Sequence, residues 1–297
     1  MDLSRLKGYA PLCFITAGIL LWRVTSPYAA VLPWIIASML FFAVVNMRPR
    51  NIRPRPQHLL LLLLQLSIGG GLYLLLSLWN RDVACSLFMC FLAPAATAAG
   101  AMTSLMGGDV GFATGYTIVT HAVICVLAPL LLPLIGGGEG VDFWSLSADI
   151  ALLVSRMVVL PILLAWTVRL VMLRFGREPR PHRRLTYWLW LSTLIFILGR
   201  AVRFVSEEGG GSIPLLLASF GVGLVACFIQ FNLGRVLAPR LGIELRACRQ
   251  ALGQKNTALV LWLCISFLHP LVAPGIAGYI AWQNFFLTYY MRKAHKN

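Results

Sequence analysis

The sequence predicts an all-α polytopic membrane protein, and three observations support this fold class. Of its 297 residues, 59% are hydrophobic and only 12% are charged, and the mean hydropathy is +0.80. Soluble domains, by contrast, are about 25% charged. Apolar runs follow one another along the chain, and the loops between them alternate between basic and non-basic. Together these patterns indicate about ten transmembrane helices.

The apolar runs define the predicted helices in chain order. They occupy residues 9–22, 30–46, 59–79, 83–105, 110–135, 146–173, 186–204, 212–233, 243–267 and 271–290. Arg5 and Lys7 precede the first run, as basic residues do in a signal peptide. Because no convincing small-x-small cleavage site follows that run, we expect a retained first helix.

Basic residues cluster in alternate loops and near the C-terminus. The clusters are Arg48, Arg50, Arg53 and Arg55; Arg174, Arg177, Arg180, Arg183 and Arg184; Arg235, Arg240, Arg246 and Arg249; and Arg292, Lys293 and Lys296. Basic loops prefer the cytoplasm, so ten helices place all the clusters on one side only if both termini are cytoplasmic. We therefore expect a multi-pass protein of a cell membrane, the inner membrane in a bacterium.

The composition of the chain argues against several other classes. The net charge of +15 does not indicate nucleic-acid binding, because the basic residues lie between apolar runs, where they orient helices. The seven cysteines have neither disulfide nor zinc-ligand spacing. The glycine clusters at 136–138 and 209–211 lack the setting of a phosphate-binding loop, and we interpret them as turns. The sequence contains neither an HExxH pattern nor paired aspartates, so no motif indicates an enzyme.

Two apolar runs are interrupted at corresponding positions. The fourth contains Ala93–Gly100 with Pro94, which removes a backbone donor. The ninth contains Gly253–Thr257, a polar stretch that begins with glycine. Broken helices near the midplane are the usual binding elements of secondary transporters. If the chain divides into residues 1–138 and 139–297, the fourth of five helices is broken in each half, and the halves are predicted to be inverted repeats.

Lys255 is the residue that points most directly to a functional site. It lies 12 positions past Ile243, the first apolar residue of its run, which places it roughly 18 Å into the bilayer. A cation is costly at this depth and by default marks a functional site. The polar residues Gln254 and Asn256 flank it.

Four stretches between Pro56 and the C-terminus match the motifs of a known family in order and spacing. They are Gln65–Ile68; Ala93–Ala98 with Met102-Thr103 and Gly107–Val110; Gly253–Leu259; and Val272–Gly275 with Trp282–Asn284. In these stretches the chain resembles the bile acid:sodium symporters, with the arsenite exporters as more distant relatives.

The resemblance implies a fold of two parts. Predicted helices 1, 2, 6 and 7 would form a panel, and helices 3–5 and 8–10 would form a core in which broken helices 4 and 9 cross. An organic anion would bind in the cleft between the parts, and the core would carry the coupling ion. The implied substrate and coupling-site residues are Gln65, Thr97, Thr103, Thr117, His121, Gln254, Lys255, Asn256, Thr257 and Asn284.

The sequence departs from the family at its sodium ligands. The family's helix 9 glutamate falls on Ala251, its motif glutamine falls on Lys255, and its helix 4 Ser/Thr-Asn pair falls on Ala99 and Gly100. At ~4 Å and an effective dielectric of ~20, an ammonium and a sodium ion repel by about 4 kcal/mol. We therefore expect no metal site and no cofactor, with Lys255 as a built-in cation.

Two mechanisms remain open for how sodium is replaced as the coupling ion. In one, Lys255 stays charged and permanently mimics sodium; in the other, it titrates and a proton replaces sodium. His121 favours the second, since it lies roughly 16 Å into its helix, at a depth similar to Lys255. In helix 5 the family's hydroxyl ligands fall on Ala113 and Thr117 or, with a different anchor, on Thr117 and His121.

These observations favour a secondary transporter of a small organic anion that works by alternating access as a monomer or homodimer. The alternatives are a non-transporting sensor or binding relative of the same fold and a conventional sodium symporter. Two roles are open for Arg156 in predicted helix 6. It could face the cleft and pair with an anionic substrate, or its side chain could snorkel to the outer surface. Asp109 is expected to cap a helix.

Overall fold

The computed structural model describes residues 3–45, 55–136, 142–179, 183–208 and 212–294, and within these ranges nearly every residue is helical. Several predicted features lie outside the described residues. They are the arginines at 48, 50, 53 and 180, Lys296, the glycines at 137–138 and 209–211, and the boundary between the two predicted repeats.

In the described residues up to Gly136 the structure has seven α-helices. They are α1 (Leu3–Leu20), α2 (Trp22–Thr25), α3 (Leu32–Val45), α4 (Pro56–Ser77), α5 (Arg81–Leu92), α6 (Ala99–Leu105) and α7 (Val110–Gly136), with a 3-10 turn at Ser26–Val31. Pro56 occupies the first position of α4, where a missing N–H costs nothing. Asp109 accepts a hydrogen bond from Phe112 N at 3.0 Å, which confirms the predicted cap of α7.

The described part of the chain from Asp142 onward has seven more. They are α8 (Phe143–Val154), α9 (Leu160–Arg174), α10 (Arg183–Arg203), α11 (Ile213–Arg240), α12 (Leu245–Gly253), α13 (Thr257–Phe267) and α14 (Ala273–Ala294). A π turn at Ser155–Val159 joins α8 to α9, another at Phe204–Glu208 ends α10, and a 3-10 turn at Pro270–Val272 precedes α14. α11 extends past the predicted end at 233, because a helix needs no apolar residues once it leaves the hydrocarbon.

Among the described residues, six helical stretches are long and apolar enough to cross a bilayer. They are Trp22–Val45, Pro56–Ser77, Val110–Gly136, Phe143–Arg174, Leu185–Glu207 and Ile213–Arg240. Large apolar side chains such as Leu63, Leu74 and Leu75 are exposed on these helices, as expected for surfaces that contact lipid. The chain is therefore a multi-pass helical membrane protein.

The helices pack in two groups. One contains α1, α2, α3, α9 and α10, and the other contains α4–α7 and α11–α14; α8 packs against α7, and α10 packs against α13. Small residues permit the tightest approach, between α11 and α14. A Cβ on Gly223 would lie 2.7 Å from Tyr279 N, so only glycine fits there.

Candidate functional site

The two interrupted runs are each broken into two helices, and their unwound segments pair with each other. Ala95 and Lys255 form an isolated antiparallel bridge. Ala96 N donates to Gln254 O at 2.8 Å, and Asn256 N donates to Pro94 O at 2.8 Å. Unpaired backbone groups are expensive in a membrane interior, and here each break satisfies those of the other.

The first break, Ala93–Ala98, is stabilised by side chains from neighbouring helices. Its own side chains are alanine, proline and one threonine. Pro94 disfavours helical backbone at Ala93, where α5 has just ended. Ala95 N donates to Thr120 Oγ1 at 3.1 Å, and Thr117 Oγ1 donates to Ala96 O at 3.3 Å. Two hydroxyls of α7 therefore hold this segment extended.

The last carbonyls of α5 are satisfied by two glutamines. Gln230 Nε2 donates to Cys90 O at 3.2 Å, and Gln65 Nε2 donates to Phe91 O. A helix end leaves such carbonyls without intrahelical partners. The second of these bonds fixes the Gln65 amide, so that its Oε1 points away from α5.

The second break, Gln254–Asn256, has polar side chains of its own. α12 ends at Gly253, whose carbonyl accepts from Tyr279 Oη at 2.9 Å. Asn256 caps α13, since its Oδ1 accepts from Leu259 N at 3.3 Å. The segment is thus anchored at both ends and cannot rewind without losing both bonds.

Lys255 is buried, with 1% of its surface exposed. Its Nζ donates to Gln65 Oε1 at 2.5 Å, and the same oxygen accepts from Tyr116 Oη at 2.9 Å. Among the described residues no carboxylate forms an ion pair with Lys255. The ammonium is therefore held by an amide dipole, an unusually weak compensation for a buried charge.

The backbone of Lys255 is held by α14. Lys255 N donates to Gln283 Oε1 at 3.0 Å, and Gln283 Nε2 donates to Thr257 Oγ1 at 3.5 Å. Gln283 therefore bridges the two residues that flank Asn256 and fixes the direction in which the lysine side chain leaves the break.

His121 joins the cluster through Asn256. Its Nδ1 lies 2.8 Å from Thr117 O, one turn earlier on α7, and its Nε2 lies 3.2 Å from Asn256 Nδ2. The ring is buried, with 2% exposed. The structure thus brings Gln65, Thr117, His121, Gln254, Lys255, Asn256 and Thr257 to the meeting point of the breaks, Gln254 through its backbone carbonyl.

Three predicted site residues make no such contact in the part of the chain that the structure describes. Thr103 Oγ1 donates to Ala99 O within α6, and Asn284 Nδ2 donates to Ile280 O within α14. Thr97 lies in the turn before α6. Successive helical residues point about 100° apart, which is why Gln283 faces the break and Asn284 does not.

The positions on which the resemblance places sodium ligands are tightly packed. Ala99 and Ala251 are fully buried. A Cβ on Gly100 would lie 2.5 Å from Thr114 Oγ1, so even alanine would need Thr114 to move. This space does not admit an asparagine side chain in the present arrangement.

Several residues of this region are not among the predicted site residues. Thr120, Tyr279 and Gln283 bind the breaks directly, and Tyr116 binds Gln65, the partner of Lys255. His58 on α4 is also fully buried, and its Nε2 has no partner in the described structure. The signal available was helical spacing, because His58 lies two turns before Gln65 on the same face of α4.

Arg156 is exposed on the π turn between α8 and α9. It lies 13 residues past the start of α8, roughly 20 Å along the helix. The arginine is therefore neither buried nor near the ends of its stretch.

The geometry defines a class of protein: a multi-pass helical membrane protein with a buried lysine where two broken helices meet. A comparison with models of known protein families gives no match, and a comparison with curated protein sequences gives none either. The particular function therefore has to be argued from the site.

Proposed function

We propose that this protein is a secondary transporter of a small organic anion, similar in fold to the bile acid:sodium symporters, in which the Lys255 ammonium replaces a coupling sodium ion. The observation that carries this proposal is the meeting of two broken helices around a buried lysine that has no carboxylate partner among the described residues. Broken helices at mid-depth bind ions and substrates in secondary transporters.

The helix order supports two inverted repeats. Taking α1, α2–α3, α4, α5–α6 and α7 as five spans, and α8–α9, α10, α11, α12–α13 and α14 as five more, the fourth span of each half is the broken one. An odd number of spans per repeat reverses the second repeat in the membrane. Ten spans also leave both termini on the side of the basic loops, which is the cytoplasm.

The packing groups support a panel and a core. The group of α1–α3 with α9 and α10 corresponds to the panel, and the group with both breaks corresponds to the core. Rocking of one group against the other around a fixed site is the usual form of alternating access. The substrate would then bind where α10 faces α13, beside the second break.

The Lys255 ammonium has a partner of the kind that a bound cation would have. Its partner Gln65 Oε1 is a neutral amide oxygen, the kind of hard ligand that sodium takes, and Tyr116 holds the same oxygen. An ammonium without a carboxylate partner leaves net charge for an anionic substrate to balance. Of the two coupling mechanisms, His121 favours proton coupling, because its ring hydrogen-bonds to the residue after Lys255.

The proposal is tested first by thermal unfolding of detergent-purified protein across a sodium series, with choline as the matched control, at several pH values. An ion that binds the native state raises the apparent Tm. We expect no sodium-specific rise in the wild type and a rise in Ala251→Glu/Lys255→Gln. A sodium-specific rise in the wild type would instead indicate a conventional sodium symporter.

Uptake into proteoliposomes tests transport itself. Bile salts and 2-keto acids serve as radiolabelled probes with and without an inward sodium or proton gradient. We expect uptake of at least one anion that is independent of sodium and abolished by Lys255→Gln. Tm shifts with the same anions but no uptake would favour the non-transporting binding relative.

A further inference from the structure

A histidine, an asparagine and the first turn of α13 form one hydrogen-bonded unit beside Lys255. Asn256 Oδ1 accepts from Leu259 N at 3.3 Å, and Asn256 Nδ2 lies 3.2 Å from His121 Nε2. On its other side the His121 ring places Nδ1 2.8 Å from Thr117 O. Both ends of the Asn256 amide and both ring nitrogens are therefore in use.

The hydrogen-bond partners of Asn256 and His121 determine where the protons of these two side chains lie. Leu259 N–H is a donor, so the oxygen of the Asn256 amide must face it and the NH₂ group must face His121. Thr117 O is an acceptor, so Nδ1 of His121 carries the ring proton. Nε2 then accepts from the asparagine, and the structure corresponds to one neutral tautomer.

A second proton on His121 is incompatible with this arrangement. An Nε2–H would face the Asn256 NH₂ group, and two donors cannot hydrogen-bond to each other. Rotating the amide by half a turn would offer its oxygen to the imidazolium, but the NH₂ group would then face Leu259 N–H and the cap of α13 would be lost. A proton at Nε2 and the cap of α13 therefore exclude each other.

We propose that His121 is a proton-binding site that controls the first turn of α13: binding of a proton at Nε2 withdraws Asn256 as the cap and loosens the helix one residue from Lys255. The inference deepens the proposed function and rests on it for a role in transport. It gives a proton a way to act on the second break without reaching the lysine.

Other titratable or charged groups surround α7 without bonding to the His121 ring in the described structure. Lys255 directs its ammonium to Gln65. α6 carries no titratable side chain. The other groups on the elements packed against α7 are His58 and Tyr73 on α4; Arg81, Asp82, Cys85 and Cys90 on α5; Tyr116 and Cys125 on α7 itself; Asp149 on α8; Arg156 on the π turn; Arg246, Cys248 and Arg249 on α12; and the capping carboxylates Asp109 and Glu244.

Asn256→Asp distinguishes this proposal from a general effect of acid. A carboxylate accepts at both oxygens, so the substituted side chain can cap α13 and also accept from a protonated His121. In the wild type the cap is intact at high pH and is lost as the pH falls. In the variant the contact between His121 and residue 256 is strengthened as the pH falls, so the sign of the response reverses.

The first experiment is thermal unfolding between pH 5 and 8 of the wild type, Asn256→Asp, His121→Gln and the double variant. Relative to His121→Gln, the Tm of the wild type should fall by about 2 °C or more between pH 8 and pH 5. Relative to the double variant, the Tm of Asn256→Asp should rise over the same range. His269→Gln removes the ion pair between His269 and Asp82 at 3.3 Å and is the control for a histidine outside this unit; combined with Asn256→Asp, it should leave the reversal of sign unchanged. Responses of the same sign in the wild type and Asn256→Asp would overturn the proposal.

Hydrogen exchange by mass spectrometry gives a second test that needs no His121 variant. After correction for intrinsic rates, protection of the amides at 257–260 in the wild type should fall roughly fivefold from pH 8 to pH 5, as expected for a lost cap, while α11 stays unchanged. Asn256→Asp should keep its protection. Equal wild-type protection at both pH values would refute the switch, whereas a switch without anion uptake would refute only the proposed function.

Discussion

The two helix breaks have the same backbone arrangement but contribute different chemistry. At the first break, the side chains of Ala93–Ala96 are small and apolar. Hydroxyls of α7 satisfy its backbone, and amides from α4 and α11 satisfy the last carbonyls of α5. At the second, Lys255 and Asn256 extend from the break to bind Gln65 and His121. The first break thus has a supporting role and the second carries the candidate site, although the bridge between Ala95 and Lys255 requires both.

Lys255→Met should have the largest effect and should separate function from stability. The substitution removes the charge of the second break but leaves Gln65 Oε1 bonded to Tyr116. Replacing a buried, poorly compensated charge by an apolar residue is neutral or stabilising by about 1–4 kcal/mol. We expect anion uptake to fall at least about 100-fold, a loss of roughly 2.7 kcal/mol, while the Tm holds or rises.

A lower Tm in Lys255→Met would mean that the lysine is a structural pin of the bridge. Lys255→Gln, which restores the residue of the resembling family, is the matched comparison. Uptake preserved in both variants would remove the lysine from the mechanism.

The hydroxyls that satisfy each break can be compared by one substitution at each. Thr120→Val leaves Ala95 N–H without an acceptor, and Tyr279→Phe leaves Gly253 O without that donor. An orphaned buried group costs about 1–3 kcal/mol, and an orphaned N–H is worse than a carbonyl, which has two lone pairs. We therefore expect Thr120→Val to lower the Tm more than Tyr279→Phe does.

Thr167→Val is the control for these hydroxyl deletions, since Thr167 Oγ1 donates to Leu163 O within its own exposed helix. Its Tm should stay close to that of the wild type. A larger loss in Tyr279→Phe than in Thr120→Val would show that the second break, and not the first, depends more on outside support.

Glycines beside the breaks offer a third comparison. A Cβ on Gly253 would lie 2.5 Å from the ring of Phe231, which is buried against Phe286 and Tyr290. A Cβ on Gly100 would meet Thr114 Oγ1, which is half-buried and can rotate. Overpacking costs about 1–3 kcal/mol, and we expect Gly253→Ala at the upper end and Gly100→Ala at the lower end.

A double-mutant cycle tests whether Thr114 causes the overpacking cost expected for Gly100→Ala. Gly100→Ala/Thr114→Ala should recover the Tm lost in Gly100→Ala, because the obstructing oxygen is gone. Strict additivity of the two substitutions would place the strain elsewhere.

Pro94→Ala should have the smallest effect. The residue acts through its carbonyl, which accepts from Asn256 N and is kept by alanine. Thr117 and Thr120 continue to hold the neighbouring backbone, so we expect a change below about 1 kcal/mol in thermal unfolding, within the range of ordinary substitutions. A severe loss would mean that the proline ring itself keeps the first break open.

The helical class and the places of interruption follow from local chemistry. A proline within an apolar run and a polar stretch that starts with glycine disrupt or destabilise a membrane helix. The same reasoning placed Lys255 at mid-depth and Asp109 at a cap. It selected Asn284 over Gln283, since a motif match does not specify which helical face points to the break.

The sequence alone therefore determined that the chain is a helical membrane protein, where two of its runs are interrupted, and that a buried cation lies at one interruption. The tertiary structure decided what the cation touches. Lys255 and Gln65 are 190 positions apart, and Asn256 and His121 are 135 apart. Hydrophobicity and propensity act over a few turns of chain, whereas these contacts depend on how the helices pack, and only the packed arrangement brings an amide oxygen to a lysine and an imidazole to a helix cap.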